Sequence, residues 1–156
     1  MRLSLYVTGK TKENYLKEGV EDYKKRIGKY YPFNYLEIPD IKSTKGMTEQ
    51  AVKEAEGEMI LKYIRPSDFL ILLDEGGRTF RSVKFAHFLL QMESRVNQMI
   101  FLIGGPYGFS EEIYRRANEK ISLSEMTFPH QLVRLIFLEQ LYRACTINRN
   151  EPYHHE

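Results

Sequence analysis

Three observations predict an α/β protein built on a mainly parallel sheet with helices on both faces. The apolar runs Asp68–Asp74 (DFLILLD) and Met99–Ile103 (MIFLI) have the length of strands buried on both sides, as parallel strands are beneath covering helices. Strand-like and helix-like patterns alternate along the chain, the order that crossover connections require. The 156 residues, 42% of them hydrophobic, suit one domain spanning 1–156, with no internal repeat, low-complexity segment or linker to divide it.

The elements follow in order. Arg2–Val7 alternates Leu3, Leu5 and Val7 with polar or amphipathic neighbours, the pattern of a half-buried strand. Over Thr11–Lys29, Tyr15, Leu16, Val20, Tyr23 and Ile27 recur at helical spacing until Pro32 intervenes. Phe33–Ile38 is a second strand, and Thr48, with Glu49 and Gln50 behind it, starts a helix that runs to Tyr63. After the Asp68–Asp74 strand, Glu75–Phe80 reads as a loop on its Gly76-Gly77 pair, and Ser82 as the cap of a helix to Arg95. Gly104–Gly108 closes the Met99–Ile103 strand. Ser110, with Glu111 and Glu112 in the first turn, opens a short helix, because a hydroxyl and early acids satisfy free N–H groups and the dipole. Lys120–Leu123 is a short fifth strand, Ser124–Phe128 a loop, and Pro129 the first-turn residue of a helix to Ile147.

The totals narrow the function classes. A formal charge of +2 neither demands nor excludes a nucleic acid. Cys145 is the single cysteine, which removes an intrachain disulfide framework and any multi-cysteine metal site; between Ala144 and Thr146 it reads as a small core residue. No apolar stretch is long enough for a bilayer or a signal peptide, so a cytoplasmic protein is expected. His87 and His130 stand apart from each other, and no metal is expected. Lys24, Lys25, Arg26 and Lys29, with Lys42 and Lys45, are either solvated surface or contacts for an RNA backbone.

Ligands of open parallel sheets bind beyond the carboxyl ends of the strands. Three loops qualify: Leu73–Gly77, Ile103–Gly108 and Leu123–Phe128. None has GxGxxG spacing or a Walker lysine, so a phosphate cradle is not supported. The helix Pro129–Ile147 is apolar nearly all round, through Leu132, Val133, Leu135, Ile136, Phe137, Leu138, Leu141 and Tyr142. A second subunit is the simplest cover for the part its own core leaves over, and a homodimer is expected. The closing NEPYHHE gathers an aromatic, two imidazoles and two carboxylates, which read as a solvated tail, an adventitious metal binder or groups suited to proton transfer.

LLDEGG, FLIGGPYG, SLSEMTFPHQLVRLIFLEQLYRA and NEPYHHE resemble, in order and spacing, the bacterial RlmH methyltransferases over essentially the whole chain. That resemblance implies the SPOUT fold with its C-terminal trefoil knot, a feature that nothing in the periodicity would suggest. It implies S-adenosyl-L-methionine among the three loops, against Leu73, Gly105, and Ser124, Glu125, Met126, Thr127, Phe128 and Pro129. It places Tyr153 and His154 at the reaction centre, His154 as a base or as a group orienting one, with Arg143 nearby. His155 stands where the family commonly has a lysine or arginine. The reaction implied is methyl transfer to N3 of a pseudouridine in helix 69 of 23S ribosomal RNA, on the assembled ribosome. A noncatalytic ribosome-binding module and a tRNA methyltransferase of the same fold are the competing readings.

Overall fold

The computed structural model describes residues 1–155. Its elements are β1 (Arg2–Thr8), α1 (Asn14–Ile27), β2 (Phe33–Ile38), α2 (Glu49–Leu61), β3 (Phe69–Thr79), α3 (Ser82–Met92), β4 (Gln98–Ile103), α4 (Glu111–Arg116), β5 (Glu119–Ser122) and α5 (Leu132–Asn148). The strands form one sheet in the order β2-β1-β4-β3-β5, and every pairing is parallel. The expected α/β class and two covered faces are both present.

Side-chain alternation along the strands builds two cores. On one face Leu3, Leu5, Val7 and Phe101 meet Val20 and Ile27 of α1, Phe85 and Leu89 of α3, and Phe137, Leu138 and Leu141 of α5. On the other, Leu70, Leu72, Ile100 and Leu102 meet Ile60 of α2 and Ile113 of α4. α5 packs against both α1 and α3 and so lies between them. Every residue of α5 is buried or half-buried within the single chain, so the surface left for a second subunit is narrower than its all-round apolarity suggests. Cys145 lies in this core, and burial pushes its thiol up to about 12.

Four local expectations change. β1 is covered on both faces, since Ser4, Tyr6 and Thr8 are buried along with the leucines; strands pair on both of its sides, and α2 and α4 cover its second face. Ser82 does not cap α3: Arg81 holds the cap position without a side-chain bond, and the Ser82 hydroxyl points to Gln140 at 3.5 Å. Pro129 precedes α5 by one turn, its carbonyl accepting from Val133 N–H at 3.0 Å. Thr48 and Ser110 do cap α2 and α4, accepting from Ala51 and Ile113 N–H.

The fourth is that β3 does not stop at Asp74. It bulges and resumes pairing, so that Leu73 and Arg78 both lie opposite Ile121 of β5. Gly77 makes this possible: a Cβ there would lie 2.6 Å from the backbone nitrogen of Ile121. Gly77→Ala is expected to lower stability by about 1–3 kcal/mol in urea unfolding, the usual cost of overpacking against a backbone that cannot yield. Gly76→Ala, whose Cβ meets only the Asp74 carboxylate at 3.1 Å, is the control and should cost less.

Candidate active site

Beyond the carboxyl ends of β3, β4 and β5 the three loops enclose a cavity of about 580 Å³, within the range of small-molecule sites. The bulge of β3 brings Leu73, Asp74 and Glu75 to it. β4 leads in through Ile103, Gly104 and Gly105, and β5 through Ser122, Leu123 and Ser124. Ser124 shapes its own loop: its carbonyl accepts from the Ser122 hydroxyl at 2.9 Å, and its hydroxyl accepts from Met126 N–H at 2.9 Å. Asp74 is fixed from two sides, by Gly76 N–H at 2.8 Å and by the Tyr114 hydroxyl. Burial, and then that bond, push the Tyr114 phenol up to about 12. Met126 and Tyr107, 77% and 47% exposed, are large apolar groups on the lining.

No lysine or arginine lines the cavity, whereas Asp74 and Glu75 do. A phosphate would find no cation there. A ligand with an apolar body, groups for backbone hydrogen bonds and a positive centre would be matched. His130 also lines it, and burial, with Arg134 and Lys12 nearby, holds its imidazole below the usual value. Gly105 is close-packed for a reason that its place in the sequence does not reveal. A Cβ there would meet the Glu56 carboxylate of α2 at 2.8 Å, so the first contact of a side chain would be with the movable end of Glu56. Burial, and then Asp40, raise the Glu56 carboxyl above the usual carboxylate range.

The second assembly is at the other end of α5. The helix closes on Asn150, whose φ of 56° is the left-handed conformation asparagine tolerates. Asn150 N–H donates to Ile147 O at 3.1 Å and Glu151 N–H to Thr146 O at 3.0 Å, the paired bonds of a Schellman cap. The cap folds the tail back, so that the Tyr153 ring meets Tyr142 at 4.7 Å between centroids and the Arg143 guanidinium at 5.0 Å. Glu139 Oε1 accepts from Arg143 Nη2 at 2.5 Å and from the Tyr153 hydroxyl at 3.1 Å. Arg143 Nη1 lies 3.2 Å from His154 Nδ1. Burial, then bonds to Tyr23 and Glu139, raise the Tyr153 phenol, which keeps its proton and serves as a donor.

Of the residues expected at the cofactor, Leu73, Gly105, Ser124, Met126, Thr127, Phe128 and Pro129 line the cavity; Glu125 is exposed and does not. Arg143, Tyr153 and His154 do meet, but away from it: none of them lines the cavity, and from Val133, which does, to Arg143 the helix rises about 15 Å. His155 is exposed. Among the basic residues, Lys24 pairs with Glu21 at 2.7 Å and Arg26 with Asp22 at 2.9 Å, while Lys25, Lys29, Lys42 and Lys45 are exposed. Two groups escaped the sequence reading, Glu139 and Arg134. Both are charges inside an otherwise apolar helix, and for Glu139 the i,i+4 spacing to Arg143 was legible.

The sequence model of a family described as "Predicted SPOUT methyltransferase" matches residues 1–154. The chain belongs to the SPOUT methyltransferase family. Curated relatives of this SPOUT methyltransferase span its full length. One from Parabacteroides distasonis is 52% identical over all of both chains. One from Cytophaga hutchinsonii is 53% identical over 99% of this chain and 100% of its own. One from Flavobacterium johnsoniae is 53% identical over all of both. Each of the three is named ribosomal RNA large subunit methyltransferase H. In this SPOUT methyltransferase a cavity suited to a cationic donor and a tail bearing Tyr153 and His154 therefore sit at opposite ends of one helix.

Proposed function

We propose that this protein is an S-adenosyl-L-methionine-dependent methyltransferase of ribosomal RNA, acting as a homodimer on N3 of a pseudouridine in helix 69 of 23S RNA within the assembled ribosome. The names of the full-length relatives support ribosomal RNA as the substrate, and their family supports the donor. The resemblance of NEPYHHE and the LLDEGG and IGGPYG loops to the RlmH pattern supports the finer target. The C-terminal trefoil knot belongs to the same reading. Among the described residues no helix is long and apolar enough to cross a membrane, and a ribosomal substrate puts the work in the cytoplasm.

The observation that carries the reading is the lining of the cavity: apolar walls from Leu73, Ile103, Leu123, Phe128 and Val133, glycine backbone at Gly104 and Gly105, and carboxylates at Asp74 and Glu75, without a cation. Such a lining holds an adenosyl group between apolar surfaces and complements a sulfonium. When bound, the donor supplies a methyl group already activated by that positive sulfur. The protein has to align it with N3 of the base, and Tyr153, His154 and Arg143 are the residues assigned to that end of the reaction. An unstacked loop base also suits recognition by an aromatic ring such as that of Tyr153.

The separation of about 15 Å along α5 supports a site shared between two chains. One chain cannot bring its own tail to its own cavity without dismantling the Schellman cap and the Glu139 contacts. Two copies related by a two-fold axis across the outer strip of α5 would place each tail at the partner's cavity, an isologous arrangement. The test mixes two impaired proteins, with the donor held at a concentration too low to load Gly105→Leu. Gly105→Leu damages the cavity, and a Tyr153→Ala, His154→Ala double variant damages the tail. If each site draws on both chains, the mixed dimer has one doubly damaged site and one intact site, and methylation of purified ribosomes reappears. If each site lies within one chain, the mixture stays inactive. Transfer to bulk tRNA in place of ribosomes would overturn the substrate.

A further inference from the structure

We propose that a second cleft, at the amino end of the sheet between Arg2 and Arg65, takes a nucleotide of the ribosomal RNA that flanks the methylated base. The proposal rests on the reading of the tail as the substrate end of the site.

The parallel strands all begin at one edge, away from the donor cavity. There the face of the sheet that α2 covers turns polar. Arg2 lies opposite Gln98 and Ser4 opposite Asn34, whereas Tyr6, Leu36 and Ile100 further along the same strands join the apolar core. α2 ends at Leu61, and the connection to β3 brings Tyr63 and Arg65 to this polar layer. The cleft they enclose measures about 480 Å³, within the range of small-molecule sites. Arg2, Asn34, Tyr63 and Arg65 are exposed and Gln98 is half-buried, so a ligand can reach them. Among the described residues no ion pair engages Arg2 or Arg65. The one carboxylate of the lining, Asp68, is buried and accepts from Arg65 N–H at 2.8 Å.

Arg65 projects from a backbone that is already fixed. Asp68 N–H donates to Arg65 O at 3.1 Å, closing a turn in which Pro66 holds the second position. Arg116 Nη2 braces the same turn from below, donating to Arg65 O at 2.7 Å and to Asp68 O at 2.9 Å. Binding at Arg65 therefore costs little ordering of the chain.

Charge and placement name the ligand. Lys29, Lys62, Arg95 and Arg149, all exposed, lie on the connections at this same end. Glu93 and Glu151, two acids of that edge, accept from the Tyr31 and Tyr30 hydroxyls. Guanidinium groups match phosphate oxygens, the amides of Asn34 and Gln98 match base edges, and the Tyr63 ring offers a surface for stacking. The tail is close by. Glu151 is held by Tyr30, and Pro32, at most about 7 Å of backbone further on, lines the cleft. An RNA strand whose target base meets Tyr153 can cross this edge and set a neighbouring nucleotide in the cleft.

The test uses the full chain and a short single-stranded oligouridylate. In ¹H–¹⁵N spectra the oligomer should shift the side-chain amide signals of Asn34 and Gln98. An abasic oligomer of the same length should bind more weakly and leave those two amides in place. No shift with the oligouridylate, or an equal shift with the abasic one, overturns the nucleotide site. Tyr63→Ala should weaken the oligouridylate by roughly five- to a hundredfold, the range of one stacked base. An Arg2→Gln, Arg65→Gln double variant should flatten the slope of log affinity against log salt by about 1.4, at about 0.7 for each lost phosphate contact. In ribosome methylation the same variant should raise KM at least about tenfold, with the donor affinity unchanged. Lys42→Gln with Lys45→Gln removes equal charge beyond the opposite end of the sheet and should raise KM less. An unchanged KM for the arginine variant, or an equal rise in both, overturns the proposal. If the unaltered protein does not methylate ribosomes, the functional reading falls by itself, and the oligouridylate spectra still decide for or against the cleft.

Discussion

Arg134→Ala should lower folding stability by about 2–5 kcal/mol, since buried acceptors left without a donor cost about 1–3 kcal/mol each. The side chain is 1% exposed and ties α5 to the end of β1. Nη2 donates to Thr8 O at 2.7 Å, and Nη1 to Gly9 O at 2.9 Å and to Thr11 Oγ1 at 3.0 Å. Glu37 stands 3.8 Å away and accepts from Thr11 N–H, so the carboxylate and the arginine hold one turn between them. Alanine would leave two carbonyl oxygens without their donor, a cavity in α5 and Glu37 without its counter-charge. Arg134→Lys should recover little, because one ammonium cannot span the acceptors that the planar fork reaches. Urea unfolding reads the effect, with Arg26→Ala as a comparison: its pair with Asp22 is exposed and should contribute under about 1 kcal/mol. An Arg134→Ala midpoint matching that of the unaltered protein would show that the clamp is dispensable.

Gly105→Leu should weaken S-adenosyl-L-methionine by up to roughly tenfold, because the Glu56 carboxylate it meets is the movable end of a side chain and yields part of the space. The obstruction is the Glu56 carboxylate at 2.8 Å, on the side of Gly105 that faces α2. That geometry supplies its own control. Glu56→Ala empties the space a leucine would need, so the double variant should regain most of the affinity that Gly105→Leu loses. If the leucine instead entered the cavity, removing Glu56 would restore nothing. Calorimetric titration distinguishes the two, provided circular dichroism shows the variants folded.

Much of this architecture is written in local patterns. The runs DFLILLD and MIFLI and the caps Thr48 and Ser110 do in three dimensions what their chemistry suggests. The two strand misreadings share one cause, long-range pairing that no short window contains. Gly76 and Gly77 look like a turn because glycine marks turns, but here one of them lets β3 pass close to the β5 backbone. β1 looks half-buried because Ser4 is polar and Tyr6 amphipathic, while its neighbours in the sheet come from residues 33–38 and 98–103. The cavity was legible because strand ends and glycine loops announce it. The Glu139–Arg143–His154 chain was half legible: the i,i+4 pair is in the sequence, but the Schellman cap that brings His154 back onto it needs the left-handed φ of Asn150.

The central place of α5 also bears on the order in which the protein can be made. The chain emerges from the ribosome amino end first, and β1 with α1 is finished early. α5 (Leu132–Asn148), which fills the space between α1 and α3 and supplies Phe137, Leu138 and Leu141 to their core, appears only after both. Until then one face of the sheet lacks its middle layer, and the carbonyls of Thr8 and Gly9 wait for Arg134. The face beneath α2 and α4 has no such dependence, since all its contributors precede residue 118. Folding during synthesis should therefore be lopsided, with one apolar surface open until α5 has emerged, a state prone to association with other chains. A nascent chain halted before residue 132 should be bound by chaperones and cut readily by protease, and one extended beyond residue 150 and clear of the exit tunnel should be neither.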